Sequence, residues 1–198
     1  DYLDTNSDSR LFYLTNNLRE EVLKLKLKRK PGMEFEYLSG NSQILGLVLE
    51  RALKNRSIAD YFQEKVWKII GTEYDASWSL DSNINGMEKT FCCFNATAID
   101  YAKIGKLYLD YGSWGDKKVV SKSWIDETLK VDSTDGSAWY YQNQWWLPTK
   151  NGDFIAEGIL GQYIYINTNN NVIIVRLGRS NGVVDWDAIL SNLGNAYK

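Results

Sequence analysis

At about Gly136 the hydrophobic period of this 198-residue chain changes from that of a helix to that of a strand, and that change constrains its fold most. Before it, apolar residues recur at three- and four-residue spacing. Residues 9–27 are amphipathic and run up to Pro31-Gly32, which punctuates the chain. Residues 41–53 carry Ile44, Leu45, Val48, Leu49 and Ala52 as the apolar set of a helix, with Ser39 or Asn41 available as its cap. Ser57-Ile58-Ala59-Asp60 is a capping-box-like start for a helix with Tyr61, Phe62, Val66 and Trp67. Thr97-Ala98-Ile99-Asp100 repeats that signal before Ala102, Leu107 and Tyr108, and Gly112 sits where the helix would stop. Ser121 can cap a short helix containing Trp124, Ile125 and Leu129.

Beyond Gly136 the pattern suits strands. Residues 138–147 are rich in Trp and Tyr, and 154–156 form a short apolar segment. Residues 162–167 and 172–177 read as a hairpin across Thr168-Asn169-Asn170-Asn171, where Asn tolerates left-handed geometry. A last helix over 185–197 places Ile189, Leu190 and Leu193 on one face. The order is helices, then an antiparallel meander, then one helix, which is α+β and not a βαβ alternation. No repeat or linker interrupts it. The expectation is one domain over 1–198, mainly helical through 135, with antiparallel strands and the C-terminal helix in 136–198.

Composition excludes several chemistries. Histidine is absent, so this chain holds no Ser-His-Asp triad, Cys-His pair or His-based zinc site. Cys92 and Cys93 are the only cysteines, too few for a disulfide framework or a four-cysteine metal site. A bond between neighbours would be strained, so two buried, reduced thiols are expected. The net charge of −2, from 23 Lys+Arg against 25 Asp+Glu, argues against binding a nucleic-acid backbone. No apolar run approaches the roughly 18 residues of a membrane span. Eight Trp and 13 Tyr suit a well-packed core and a cleft lined with flat side chains.

The basic run 23–30 (LKLKLKRK) reads as a solvated face and not a nucleic-acid or membrane patch; it either ends the first helix or forms a short strand. The sequons at Asn55 and Asn95 lie at helix starts, where capping accounts for them. Glu20-Glu21 and Asp185 with Asp187 read as helix-end charges and not as a glycosidase pair. Phosphate-loop, dinucleotide and Gly-x-Ser-x-Gly patterns are absent.

Three segments in order carry more information. They are Met33-Glu34-Phe35-Glu36-Tyr37-Leu38-Ser39-Gly40-Asn41-Ser42, the stretch from Cys92 to Leu109, and Gly158-Ile159-Leu160-Gly161-Gln162-Tyr163-Ile164-Tyr165-Ile166. Together they resemble the serine β-lactamase/penicillin-binding-protein-like hydrolases, in the branch of class C β-lactamases, carboxypeptidases, esterases and 6-aminohexanoate-dimer hydrolases. The resemblance implies a β-lactamase/transpeptidase-like fold whose N-terminal strands are missing from this chain. It implies a small ester or amide substrate (β-lactam, peptide or oligoamide) and no metal or cofactor. It also slightly favours a periplasmic or exported location.

In that family a Ser-x-x-Lys supplies the nucleophile, a Tyr-x-Asn/Ser the proton-transfer tyrosine, and a Lys/His-x-Gly on an edge strand completes the pocket. Tyr37-Leu38-Ser39 matches the second motif, so the resemblance makes Tyr37 a proton carrier and Ser39 a substrate-facing group. Ile159-Leu160-Gly161 aligns with the third, which puts the Gln162 backbone N–H at the oxyanion position. The chemistry suits the residue types. A tyrosine hydroxyl near cations can act as a base, a glycine lets substrate lie against the backbone, and a fixed N–H stabilises developing negative charge. Two departures stand out. Ile159 replaces the Lys or His, and no Ser is followed three residues later by Lys; Ser7-Asp8-Ser9-Arg10 comes nearest. The expected reading is therefore the C-terminal part of a serine hydrolase with its nucleophile upstream. The alternative is a non-catalytic binding or structural module. Missing strands would leave a sheet edge open to self-association or to the upstream segment.

Overall fold

A computed structural model describes residues 8–54 and 56–197. They form an α+β structure with two compact units, one from residues 1–65 and 76–95, the other from 66–75 and 96–198.

In the first unit, the single helix expected over 9–27 is two: α1, Asp8–Leu14, and α2, Leu18–Leu23. Thr15-Asn16-Asn17 breaks it, because the Asn17 side chain accepts from the Glu20 N–H and starts a new helix. The basic run beyond Leu23 is irregular backbone, neither helix end nor strand. Two of its charges are paired at the surface, Lys28 with Glu36 at 2.6 Å and Arg29 with Glu34 at 3.3 Å.

Helix α3, Ser39–Leu53, departs further from its pattern. Leu38 holds the cap position, so neither Ser39 nor Asn41 is the cap. The buried residues are Ser39, Gln43, Gly46 and Leu47, whereas Ile44, Leu45, Val48 and Leu49 are exposed. The reason is what packs on it. Gln43 donates to the Glu88 carbonyl at 3.0 Å and accepts from the Thr90 N–H at 2.9 Å. Gly46 lies so close to the Thr90 side chain that any Cβ there would collide with it. Leu47 joins Phe12, Leu18, Val22 and Met87 in the core of this unit.

Ser57 caps α4, Ile58–Phe62, as its pattern predicts, but the helix passes into a π turn, Gln63–Trp67, that carries Val66 and Trp67. Asn55 lies outside the described residues. A two-stranded pair, β1 (Ser77–Trp78) with β2 (Phe94–Asn95), packs Trp78 and Phe94 edge-on against Phe62. Just before β2 the structure corrects the expectation for the cysteines. Cys92 and Cys93 are bonded to each other and half-buried, not reduced and buried. Cys93 adopts the left-handed φ 69°, and the turn is pinned on both sides. Trp78 Nε1 donates to the Cys92 carbonyl at 3.1 Å, and Ser79 N–H to the Cys93 carbonyl at 3.1 Å.

In the second unit, Thr97 caps α5, Ala98–Leu109, and Gly112 takes φ 83° just beyond it. The buried Asp100 carboxylate accepts from the Glu73 and Tyr74 N–H groups and from Thr97. A small pair, β3 (Ser113–Trp114) with β4 (Lys117–Lys118), precedes α6, Lys122–Thr128, which Ser121 caps.

The strand region is a five-stranded antiparallel meander in sequence order: β5 (Tyr141–Gln142), β6 (Trp145–Trp146), β7 (Asp153–Gly158), β8 (Gln162–Asn167) and β9 (Val172–Arg176). Asn143 and Gln144, both at positive φ, make the β5–β6 turn, so 141–146 within the Trp- and Tyr-rich stretch is a hairpin. Strand alternation fills both faces. Ile164 and Ile166 point to α5, where Gly105 lets the helix approach, with Ile173 alongside. Tyr163 and Tyr165 point to α7, Trp186–Ala196, and share a core cluster with its Leu190. Asp153 is buried on that side and accepts from Tyr165 at 3.2 Å and Ser191 at 3.0 Å. Strand β9 forms one edge of the sheet.

Candidate active site

Tyr37 lies one residue before the end of an irregular run, 34–38, that leads straight into α3. Leu38 is extended, with φ −132° and ψ 123°, and the chain turns helical at Ser39. Tyr37 is consequently outside the helix and 51% exposed, while Ser39 is 8% exposed and opens the buried stripe that Gln43 continues. Two residues separated by Leu38 therefore differ sharply, one an exposed tyrosine and the other a buried serine.

Ile159-Leu160-Gly161 connects β7 to β8, whose flanking residues Gly158 and Gln162 are paired. The segment is thus a hairpin turn between two interior strands of the sheet, not part of an edge strand. Leu160 and Gly161 both take left-handed backbone, φ 62° and 81°. That is uncommon for a leucine and natural for a glycine. Gly161 has a second reason to lack a side chain, beyond access for substrate. A Cβ there would collide with the Arg176 guanidinium and approach the Ser180 carbonyl to 2.9 Å. Ile159 and Leu160 are exposed, and the half-buried Gln162 donates its side-chain amide to the Gly178 carbonyl at 2.5 Å.

Tyr37 and Ser39 thus belong to the first unit, and Ile159, Gly161 and Gln162 to the second. The sequence reading missed Arg176. Its guanidinium donates to the carbonyls of Gly161 and Ser180 and lies 3.9 Å from the Trp186 ring centre. The signal was available, because the register of the β8–β9 hairpin puts Arg176 opposite Tyr163, next to Gln162. Glu157, one residue before the turn's flank, was also overlooked. Withdrawal from water, and secondly the Asp187 carboxylate, raise its pKa from 4.5 to about 7, although the residue as a whole keeps exposed surface.

A cavity of about 430 Å³ in the second unit is lined by Leu129, Lys130, Phe154 and Thr168 among others, and no motif residue borders it. Among the described residues no His, Cys, Asp or Glu cluster is placed to hold a metal ion, and no helix is long and apolar enough to cross a membrane.

The Beta-lactamase family model matches residues 1–190. A curated relative, the 6-aminohexanoate-dimer hydrolase of Paenarthrobacter ureafaciens, is 27% identical over 155 residues, covering 73% of this chain and 39% of the relative. A solved structure described as "Putative 6-aminohexanoate-dimer hydrolase from Bacillus anthracis" superposes with a TM-score of 0.82 at 22% identity, over 96% of this chain and 53% of that one. Another, described as a "putative beta-lactamase" from Bacteroides dorei DSM 17855, gives 0.73 at 17% identity, over 99% and 67%. The chain therefore spans 39% of the length of the curated relative it matches. With a shared fold and a family match running almost end to end, the chain belongs to the β-lactamase-like serine hydrolase family.

Proposed function

We propose that this chain is part of an enzyme that cleaves an ester or amide through an acyl-serine, with the nucleophile supplied by residues outside these 198. The observation that carries this reading is a family match over residues 1–190 in a chain that keeps Tyr37-Leu38-Ser39 but contains no Ser-x-x-Lys. The serine Oγ bonds to the substrate carbonyl carbon while its proton passes to Tyr37. The tetrahedral oxyanion is held by the Gln162 N–H, and Ser39 orients the substrate. The bond to the leaving group then breaks as that group takes the proton, and water cleaves the acyl-serine ester to regenerate the hydroxyl. The names of two relatives favour a short linear amide among the possible substrates. Ile159 fits a substrate that needs no cation at that position.

The second reading, a non-catalytic module, draws on Ile159 too, because the family's Lys or His is missing there. Mass spectrometry after treatment with a serine-directed phosphonate separates the two. The full-length protein is expected to be labelled on a serine of a Ser-x-x-Lys and to hydrolyse a p-nitrophenyl ester, and the 198-residue chain to do neither. In the full-length protein Tyr37→Phe lowers kcat by about 10²–10⁴-fold, the range for a positioned acid–base group, and Ser39→Ala lowers it less. Full activity in Tyr37→Phe removes Tyr37 from the mechanism. Failure of the full-length protein to be labelled leaves the non-catalytic reading.

A further inference from the structure

The Gly161–Gln162 peptide has two ends. Its N–H is the group read above as the oxyanion donor, and its C=O is the acceptor of the Arg176 Nη1–H. The two ends are rigidly coupled, because the amide is planar and conjugated. We propose that Arg176 is a positioning residue for this peptide: by binding the Gly161 carbonyl with a stacked guanidinium, it aims the Gln162 N–H and strengthens it as a donor. This rests on the reading of that N–H as the oxyanion donor.

The surroundings are built for that contact. Arg176 leaves strand β9 and bridges two carbonyls, Gly161 and, at 3.1 Å, Ser180, which suits the planar fork of a guanidinium and not the point charge of a lysine. Its plane is supported by Trp186 at 3.9 Å, a cation–π contact. Trp186 is fixed in turn by its Nε1–H, which donates to the Asn181 carbonyl at 2.7 Å. Room for the guanidinium comes from two glycines. A Cβ on Gly161 or on Gly178 would collide with Nη1. Gln162 closes the arrangement by donating its side chain to the Gly178 carbonyl. One cation, one indole, two glycines and a side-chain amide thus converge on a single three-residue turn that carries two successive left-handed residues. Such a turn needs an external hold to keep one orientation. A positive charge on the carbonyl oxygen also draws electron density from the amide nitrogen, so the N–H becomes a stronger donor, as in a chain of polarised hydrogen bonds. A donor that must meet a developing oxyanion gains from both effects.

The test uses two readouts. In the full-length enzyme, Arg176→Ala is expected to lower kcat on a p-nitrophenyl ester by about 10–10²-fold with little change in KM, a fraction of the loss known for deleting an oxyanion donor. Arg176→Lys keeps the charge but not the fork and is expected to lose less. Free guanidinium at millimolar level should restore part of the activity of Arg176→Ala and none in the unmutated enzyme. The second readout is the Gln162 amide in the ¹H–¹⁵N spectrum of the full-length protein, which should move upfield in Arg176→Ala while the Ile155 amide in β7 stays in place. If Arg176→Ala does not fold, Arg176→Lys gives the same comparison at smaller amplitude. An unmoved Gln162 amide overturns the positioning role whatever kcat does. A moved amide with unchanged kcat overturns Gln162 as the oxyanion donor and leaves the contact between Arg176 and the turn standing.

Discussion

Helix α3 in the first unit and strand β8 in the second are each the most contacted element of their unit, and they bury opposite kinds of side chain. Around α3 pack α1, α2 and α4; around β8 pack β7, β9, α5 and α7. Strand β8 buries large apolar and aromatic groups on both faces, Ile166 toward α5 and Tyr163 with Tyr165 toward α7. Helix α3 buries a serine, a glutamine and a glycine beside one leucine, and exposes four aliphatic residues. The lesson is geometric. A strand has two faces set by its pleat, and if both are covered every residue is committed. A helix offers a full circle of directions, and its neighbours choose which of them is inside. On α3 the turn through Glu88 and Thr90 chose the polar, narrow side, because Gln43 satisfies two backbone groups there and Gly46 lets the chain approach.

Substitutions at buried positions test this difference most severely. Ile166→Ala in β8 and Leu47→Ala in α3 should each cost about 2–5 kcal/mol in urea unfolding, the range for emptying a filled core position. A cost near zero at Leu47 would mean that the first unit has no core of its own.

The two units also treat charge differently. In the first, the buried Glu88 carboxylate accepts the Ala59 N–H at 2.9 Å, and Arg19 grips Glu50. In the second, withdrawal from water first and then the like charge of Asp187 raise the folded pKa of Glu157 from 4.5 to about 7. Asp187 is raised as well, by burial first and then by Asp185 and Asp153, while Arg176 acts in the opposite sense on the adjacent Tyr163. Between pH 4.5 and about 7 the folded chain keeps a proton on Glu157 that the unfolded chain has released. The stabilisation from that proton is therefore complete below pH 4.5 and is lost as the pH rises to about 7. Urea midpoints measured across this window should fall, and Glu157→Gln should flatten the fall. A slope unaltered by the substitution would assign the effect to other groups.

The smallest expected effect bears directly on α3. Leu45→Ala and Val48→Ala should change stability by only about 0.5 kcal/mol, as exposed positions do. Losses as large as that of Leu47→Ala, again by urea unfolding, would show that the apolar side of α3 is covered in solution, and the contrast with β8 would collapse.

Caps and turns were legible along the chain because their physics is local. Ser57, Thr97 and Ser121 each accept an N–H three residues on, as their patterns predict, and the Asn-rich 168–171 segment closes the β8–β9 hairpin with Asn171 at φ 52°. The order of helices, meander and final helix followed from periodicity, and the family resemblance from short segments that hold their spacing. Tyr37-Leu38-Ser39 and Ile159-Leu160-Gly161 were visible for the same reason.

Tertiary packing decided what spacing cannot express. Which side of α3 is buried depends on Thr90, 44 residues beyond Gly46, and the hold on the Gly161 turn depends on Arg176, 15 residues farther along. The pairing of Cys92 with Cys93 comes with a left-handed backbone at Cys93, and the raised pKa of Glu157 with burial and the charge of Asp187 on α7. Residue types and their local periods were sufficient for elements and motifs, since those depend on neighbours within a few positions. Burial, polarity of a face and the tuning of a peptide arise from residues brought near only by folding, so the chain's own order could not display them.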